Sequence, residues 1–185
     1  MTDLLCELIA TPSFSTHESA TADIIERVLR EHGCTPVRLG NNVVSDDAAS
    51  TSGPVILLNS HHDTVRPGSG WTHDPHEAVL ANGRITGLGS NDAGGALVMM
   101  LAAYLHFRER ADLPVRFMFA ATAEEEISGQ NGMALLTREW FPAHPIDLAI
   151  VGEPTGMDLA IAEKGLVVLD CTAHGRTGHA ARNEG

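Results

Sequence analysis

Three short runs of β-type apolar residues constrain this chain most: 54–59, 115–121 and 148–151. None alternates polar with apolar residues, so none suits a strand with one face in water. Near-continuous runs of this kind, broken here by Arg116, suit strands covered on both faces, as in α/β sheets. Each run also stops at acid or imidazole chemistry. The first leads into Ser60-His61-His62-Asp63, the second into Thr122-Ala123-Glu124-Glu125-Glu126, and the third into Gly152-Glu153-Pro154.

Helical patterns lie between these runs. Residues 4–10 form a short apolar helix that stops before Pro12. Ser15-Thr16-His17-Glu18 matches a capping box, with Ser15 as N-cap and Glu18 reaching back. Ile24, Ile25, Val28 and Leu29 follow at helical spacing, and Gly33 is a natural stop. Short strands at 37–39 and 43–44 flank an Asn41-Asn42 turn, and 46–53 is a polar loop. Residues 78–88 read as a hairpin around Asn82-Gly83. Residues 94–107 and 129–140 are further helices; 159–162 and 166–172 are further strand candidates. Strands alternating with helices predict an α/β fold, a mostly parallel mixed sheet sandwiched by helices. Sites in such sheets lie beyond the carboxyl ends of the strands. His61, Asp63, Glu125, Glu126 and Glu153 all fall there.

Composition narrows the partners. The 185 residues carry 12 Lys+Arg against 24 Asp+Glu, a formal charge of −12. Nucleic-acid phosphates and anionic lipids both call for a basic surface, so neither partner is expected. No apolar run approaches the length of a membrane span, and the N-terminus lacks the basic start of a signal peptide. Cys6, Cys34 and Cys171 show neither paired nor zinc-finger spacing. Free thiols in a reducing cytoplasm are the expectation. His32, His73, His76, His106 and His144 fall in no ligand pattern.

The strand ends carry the chemistry. His61 and Asp63 are two apart, so an extended backbone sends both side chains to one face and His62 to the other. His61 is then the candidate ligand, and Asp63 can orient its ring from behind. Asp92 lies in the glycine-bordered turn Gly89-Ser90-Asn91-Asp92-Ala93-Gly94-Gly95, where its two oxygens could bridge two metal ions. In Glu124-Glu125-Glu126 one carboxylate could bind metal while its neighbour takes a proton from an activated water. Glu153 adds a fourth acidic loop. Taken singly, each has an ordinary alternative: loop histidines beside a capping Asp, a helix N-cap at Asp92, a solvated acidic loop, a cap at Glu153. Together, at the ends of buried strands, they predict one metal-filled cleft.

These blocks, in this order, resemble the zinc-dependent deacylases and exopeptidases that include acetylornithine deacetylase, succinyl-diaminopimelate desuccinylase and aminoacylase. The family's S/G-H-x-D pattern matches Ser60 to Asp63, and G-x-G-x-x-D matches Gly87 to Asp92. T-x-D-E-E matches Thr122 to Glu126 with Glu124 in place of Asp, and G-E-P-T/S matches Gly152 to Thr155. The resemblance implies His61 and Glu153 as ligands of a first zinc, Asp92 as the bridging carboxylate and Glu126 as a ligand of a second zinc. It implies Glu125 as general base, Asp63 behind His61, and His179 as a residue that helps hold the substrate carbonyl in a dimer partner. Cobalt and manganese suit the same donors.

The resemblance further implies a catalytic domain over 1–164 and the start of an inserted α+β lid and dimerisation domain over 165–185. The expected activity is cleavage of the amide bond of a small-molecule N-acyl amino acid. The stretch 162–184 looks most like the acetylornithine deacetylase branch, which would place the protein in arginine biosynthesis as a homodimer when full length. A desuccinylase or dipeptidase on the same scaffold, or an inactive metal-binding fragment, are the alternatives. Two features depart from the family: Gly94 replaces a frequent Lys, and the last zinc-ligand His and the carboxylate-binding residues are expected beyond Gly185.

Overall fold

The computed structural model describes residues 1–48, 53–162, 165, 167 and 169–175. In chain order the elements are α1 (Thr2–Ala10), α2 (Ser19–Glu31), β1 (Val37–Leu39), β2 (Asn42–Ser45), β3 (Val55–His61), β4 (Val79–Ala81) and β5 (Arg84–Thr86), followed by α3 (Ala96–Phe107), β6 (Arg116–Thr122), α4 (Met133–Glu139) and β7 (Leu148–Val151). The chain divides into two units, Met1–Pro154 and Thr155–Gly185. All of these elements lie in the first. No helix among the described residues is long and apolar enough to cross a membrane.

The three apolar runs become neighbouring parallel strands. The sheet order is β1-β2-β6-β3-β7, with β3 parallel to both β6 and β7 and with β2 antiparallel to β6. Successive residues point to opposite faces, and both faces are apolar. Val43, Leu58, Phe119 and Ala121 pack on one side with α1, α2 and α3. Val44, Leu57, Met118 and Ala120 pack on the other with Leu136 of α4. Burying one such Leu or Phe contributes about 1.5–3 kcal/mol. An exposed ion pair such as Arg27–Glu7 contributes about 0–1 kcal/mol. The two apolar layers, rather than the surface ion pairs, therefore hold the sheet.

Register brings the loops together. His61 lies opposite Thr122, and Asn59 opposite Val151. Just past the strands, His62 N–H donates to Thr122 O at 3.0 Å and Gly152 N–H to Asn59 O at 2.7 Å. Three loops thus leave one end of the sheet side by side. Among the described residues β7 is the edge strand, and its four residues are all exposed.

Local signals mostly act as expected. Gly33, at φ +77°, ends α2 and lets Cys34 N–H donate back to Leu29 O at 3.0 Å. Asn82 and Gly83 both have positive φ, as a two-residue β4–β5 hairpin of type I′ requires. The capping box forms differently. α2 starts at Ser19 with Glu18 at its N-cap. Glu18 bends back to Thr16 N–H, at 2.6 Å, while the Ser15 hydroxyl donates to Asp63 at 2.7 Å. A buried carboxylate needs donors, and Asp63 takes the one that Ser15 would have offered the helix. The 129–140 helix shortens to Met133–Glu139, and α3 begins at Ala96 because residues 90–95 form a turn. Residues 159–162 are not a strand; Leu159 and Ile161 are exposed and have no sheet neighbour among the described residues. The 166–172 candidate falls partly outside the described residues, and its described positions form no strand.

Tyr104 locks α3 to β2. Its ring is fully buried and stacks on Phe119 with centroids 5.9 Å apart. Its hydroxyl donates to Ser45 Oγ at 2.9 Å and accepts Asp47 N–H at 2.9 Å. Burial pushes this phenol up to about 12. Tyr104→Phe keeps the ring and removes both bonds. It should lower the unfolding free energy by about 1–3 kcal/mol. Chemical denaturation checks this, and an unchanged midpoint would contradict the assignment.

Candidate metal centre

His61 is the last residue of β3, and its ring is buried at the mouth of the three loops. Nδ1 lies 3.0 Å from the main-chain oxygen of Asp63 and 3.4 Å from its Oδ1. A carbonyl only accepts, so Nδ1 carries a hydrogen, and Nε2 is the nitrogen that faces the cleft and could bind an ion once the ring is neutral. Nε2 is 3.0 Å from Asp92 Oδ1 and 3.9 Å from both Glu153 Oε2 and Glu125 Oε2. One donor atom each from His61, Asp92 and Glu153 lies within 4.8 Å of the others.

Each loop has a local reason to be there. Asp92 sits on a wide turn entered through Gly89 at φ +74°, and Gly94 N–H closes it onto Gly89 O at 2.8 Å. At Gly94 a Cβ would lie 2.6 Å from that same carbonyl oxygen, so a side chain does not fit this turn without rearrangement. The loop carrying Glu153 is tied to β3 by the Ser60 hydroxyl, which donates to Gly152 O at 2.7 Å. The Glu125–Glu126 loop is tied by Asp63: its Oδ1 accepts Glu125 N–H at 3.1 Å and its Oδ2 accepts Glu126 N–H at 3.2 Å.

The electrostatics call for a cation. Burial works against a charged His61 ring, yet Asp63, Asp92 and Glu153 outweigh it and raise the imidazole to about 9. Burial and neighbouring carboxylates push Glu153 and Glu126 above the ordinary carboxylate range, with His61 opposing. Burial would also raise Asp63, but His61, the Ser15 hydroxyl and two amides hold it below that range. The carboxylates crowd one imidazole, and a divalent ion relieves that crowding. The donor set fits one. Ligand atoms about 2.0–2.2 Å from a tetrahedral zinc are about 3.3–3.6 Å apart, and the 3.0 and 3.9 Å separations bracket that span.

Of the residues singled out from sequence, the structure gathers His61, Asp92 and Glu153, with Glu125 at the rim and Asp63 behind. Glu126 is outside that trio; among its charged neighbours Asp92 acts on it most strongly. His179 lies outside the described residues. His62 points away, as alternation requires. It is buried between Thr21 Oγ1 at 2.9 Å and Asn41 O at 3.0 Å, and burial pushes it down to about 4. Sequence reasoning missed Ser15, Glu18 and Asn42, whose side chains hold the site's backbone or its buried carboxylate. The capping-box and turn patterns that mark these residues say nothing of this role, because their partners are remote in the chain.

The family model described as Peptidase family M20/M25/M40 matches residues 57–176. A succinyl-diaminopimelate desuccinylase of Methylorubrum extorquens is 37% identical over 142 residues, covering 71% of this chain and 37% of the relative. That of Methylorubrum populi is 32% identical over 192 residues, covering 94% and 49%. The chain thus spans about half, or less, of the length of these curated relatives. Among solved structures, the M20 metallo-carboxypeptidase Sso-CP2 from Sulfolobus solfataricus superposes with a TM-score of 0.71 at 24% identity, over 82% of this chain and 36% of that one. The YxeP protein of Bacillus subtilis, a dinuclear metal-binding M20 peptidase, superposes with a TM-score of 0.62 at 19% identity, over 81% and 41%. These structures share the α/β fold with its mostly parallel sheet. On the family match, this chain is a member of peptidase family M20/M25/M40.

Proposed function

We propose that the protein is a metal-dependent hydrolase that cleaves the amide bond of an N-succinyl amino acid of the diaminopimelate type. The observation that carries this reading is the cage of His61, Asp92 and Glu153 with the half-exposed Glu125 carboxylate 3.9 Å from His61 Nε2. The acyl group is revised from the sequence reading. The curated relatives reported above are desuccinylases, so the alternative is favoured over acetylornithine deacetylation, and arginine biosynthesis loses its support.

His61, Asp92 and Glu153 would hold one divalent ion, and Glu126 with the second oxygen of Asp92 would contribute to another. Bound ions would polarise the acyl carbonyl and acidify a water. Glu125 takes the proton of the attacking water. The water oxygen bonds to the acyl carbon, the carbon–nitrogen bond breaks, and Glu125 delivers the proton to the departing nitrogen. The products are a dicarboxylic acid and a free amino acid. Asp63 fixes the His61 tautomer and the Glu125 backbone throughout. A carbonyl-holding role for His179 in a dimer belongs to the same proposal.

Two substitutions separate binding from chemistry. His61→Ala should weaken Zn2+ binding by more than the roughly 10–100-fold typical of losing an outer-shell partner. Calorimetric titration reads this, and unchanged affinity would remove His61 from the cage. Glu125→Gln in the active protein should keep its metal content and lose about 10²–10⁴-fold in kcat on an N-succinyl substrate. Normal turnover would take the base role from Glu125. Preference for N-acetyl amino acids or unmodified dipeptides in the same assay would overturn the succinyl assignment.

A further inference from the structure

Four successive amides in the loop after β6 are held from outside by side chains. Ala123 N–H donates to Asn42 Oδ1 at 3.0 Å and Glu124 N–H to Glu18 Oε1 at 3.3 Å. Glu125 and Glu126 N–H donate to the two oxygens of Asp63. None of the three partners belongs to β6. Glu124 itself sits at φ +55°, a region that residues with a side chain seldom occupy. Its carboxylate turns inward to Asn131, accepting the backbone N–H at 3.1 Å and the side-chain amide at 2.8 Å. Asn42 Nδ2 closes the frame on Asn131 O at 2.6 Å.

Glu18 stands out within this frame. It is fully buried, and its side-chain hydrogen bonds go to Thr16, Asn41 and Glu124 rather than to the cage. Its Oε1 accepts Thr16 N–H and Glu124 N–H, and its Oε2 accepts Asn41 Nδ2 at 2.8 Å. A buried carboxylate is costly unless its oxygens are bonded. Here they are bonded to α2's entry, the β1–β2 turn and the loop that bears the site's two glutamates. Asn41 in turn faces Arg38 through Oδ1 at 3.3 Å, which fixes which way its amide points.

We infer that Glu18 is a positioning residue for Glu125 and Glu126: its buried carboxylate anchors the Glu124 amide and thereby sets where the loop presents both carboxylates to the metal centre. This rests on the proposed roles of Glu125 and Glu126. Glu18→Gln keeps the shape of the side chain but turns its N–H groups against those of Asn41. The double variant Glu18→Gln with Asn41→Asp exchanges carboxylate and amide across the same bond and restores a donor facing an acceptor.

The test combines Zn2+ titration with amide hydrogen exchange on the purified chain. The Zn2+ that depends on Glu126 is identified by its weakening in Glu126→Gln. In Glu18→Gln that Zn2+ should bind about tenfold more weakly. Exchange at Glu124 to Glu126 should quicken while exchange in β3 stays unchanged. The double variant should recover both. Wild-type affinity and exchange in Glu18→Gln would overturn the inference. So would a double variant as impaired as the single one, because the loss would then be general destabilisation. Should Glu126→Gln bind Zn2+ like the wild type, the metal role of Glu126 fails separately. The loop-anchoring role of Glu18 is then decided by exchange and its recovery in the double variant.

Discussion

A single buried carboxylate, Asp63, ties the cleft-facing histidine to the loop that carries the proposed base. It accepts the Ser15 hydroxyl and the amides of Glu125 and Glu126, and it lies against His61 Nδ1. Such a group is unfavourable in a protein interior without donors. These donors offset that cost and hold it ionised, below the usual carboxylate range. One group therefore fixes two distances at once: where His61 aims Nε2, and where the backbone of the two glutamates stands.

The sheet makes that convergence inexpensive in chain entropy. β3, β6 and β7 run parallel and in register, so their carboxyl ends need no long excursions to meet. Neighbours in sequence then acquire opposite roles through geometry alone. His61 faces the cleft, and His62, one residue on, is buried and kept neutral. Glu124 turns inward to Asn131, and Glu125 next to it remains half-exposed at the cage. A like division separates Glu18, which is fully buried, from the acidic groups that line the cleft.

The fold was legible because its three parallel strands come from near-continuous apolar runs, and the gathering of His61, Asp92 and Glu153 was legible because sites in such sheets sit at strand ends. Residues whose work is to hold backbone were not legible. Ser15 meets Asp63 across 48 residues, Asn42 meets Ala123 across 81, and Glu18 meets Glu124 across 106. A local pattern such as a capping box competes with these remote acceptors, and the remote acceptor won at Ser15. The 159–162 segment shows the converse error: an apolar run is a strand only when a neighbour completes its hydrogen bonds. The acyl group was not legible, because the strand-end residues proposed as metal ligands carry no information about the acyl chain.

The proposed chemistry requires that imidazole and carboxylate oxygens from separate strand ends enclose a divalent ion. X-ray absorption at the zinc edge on the Zn2+-loaded protein tests it directly. Such a site should show nitrogen and oxygen ligands at about 2.0–2.2 Å, including the outer scattering of one imidazole, and no sulfur. A sulfur shell near about 2.3 Å, or a fully hydrated ion without imidazole scattering, would contradict it.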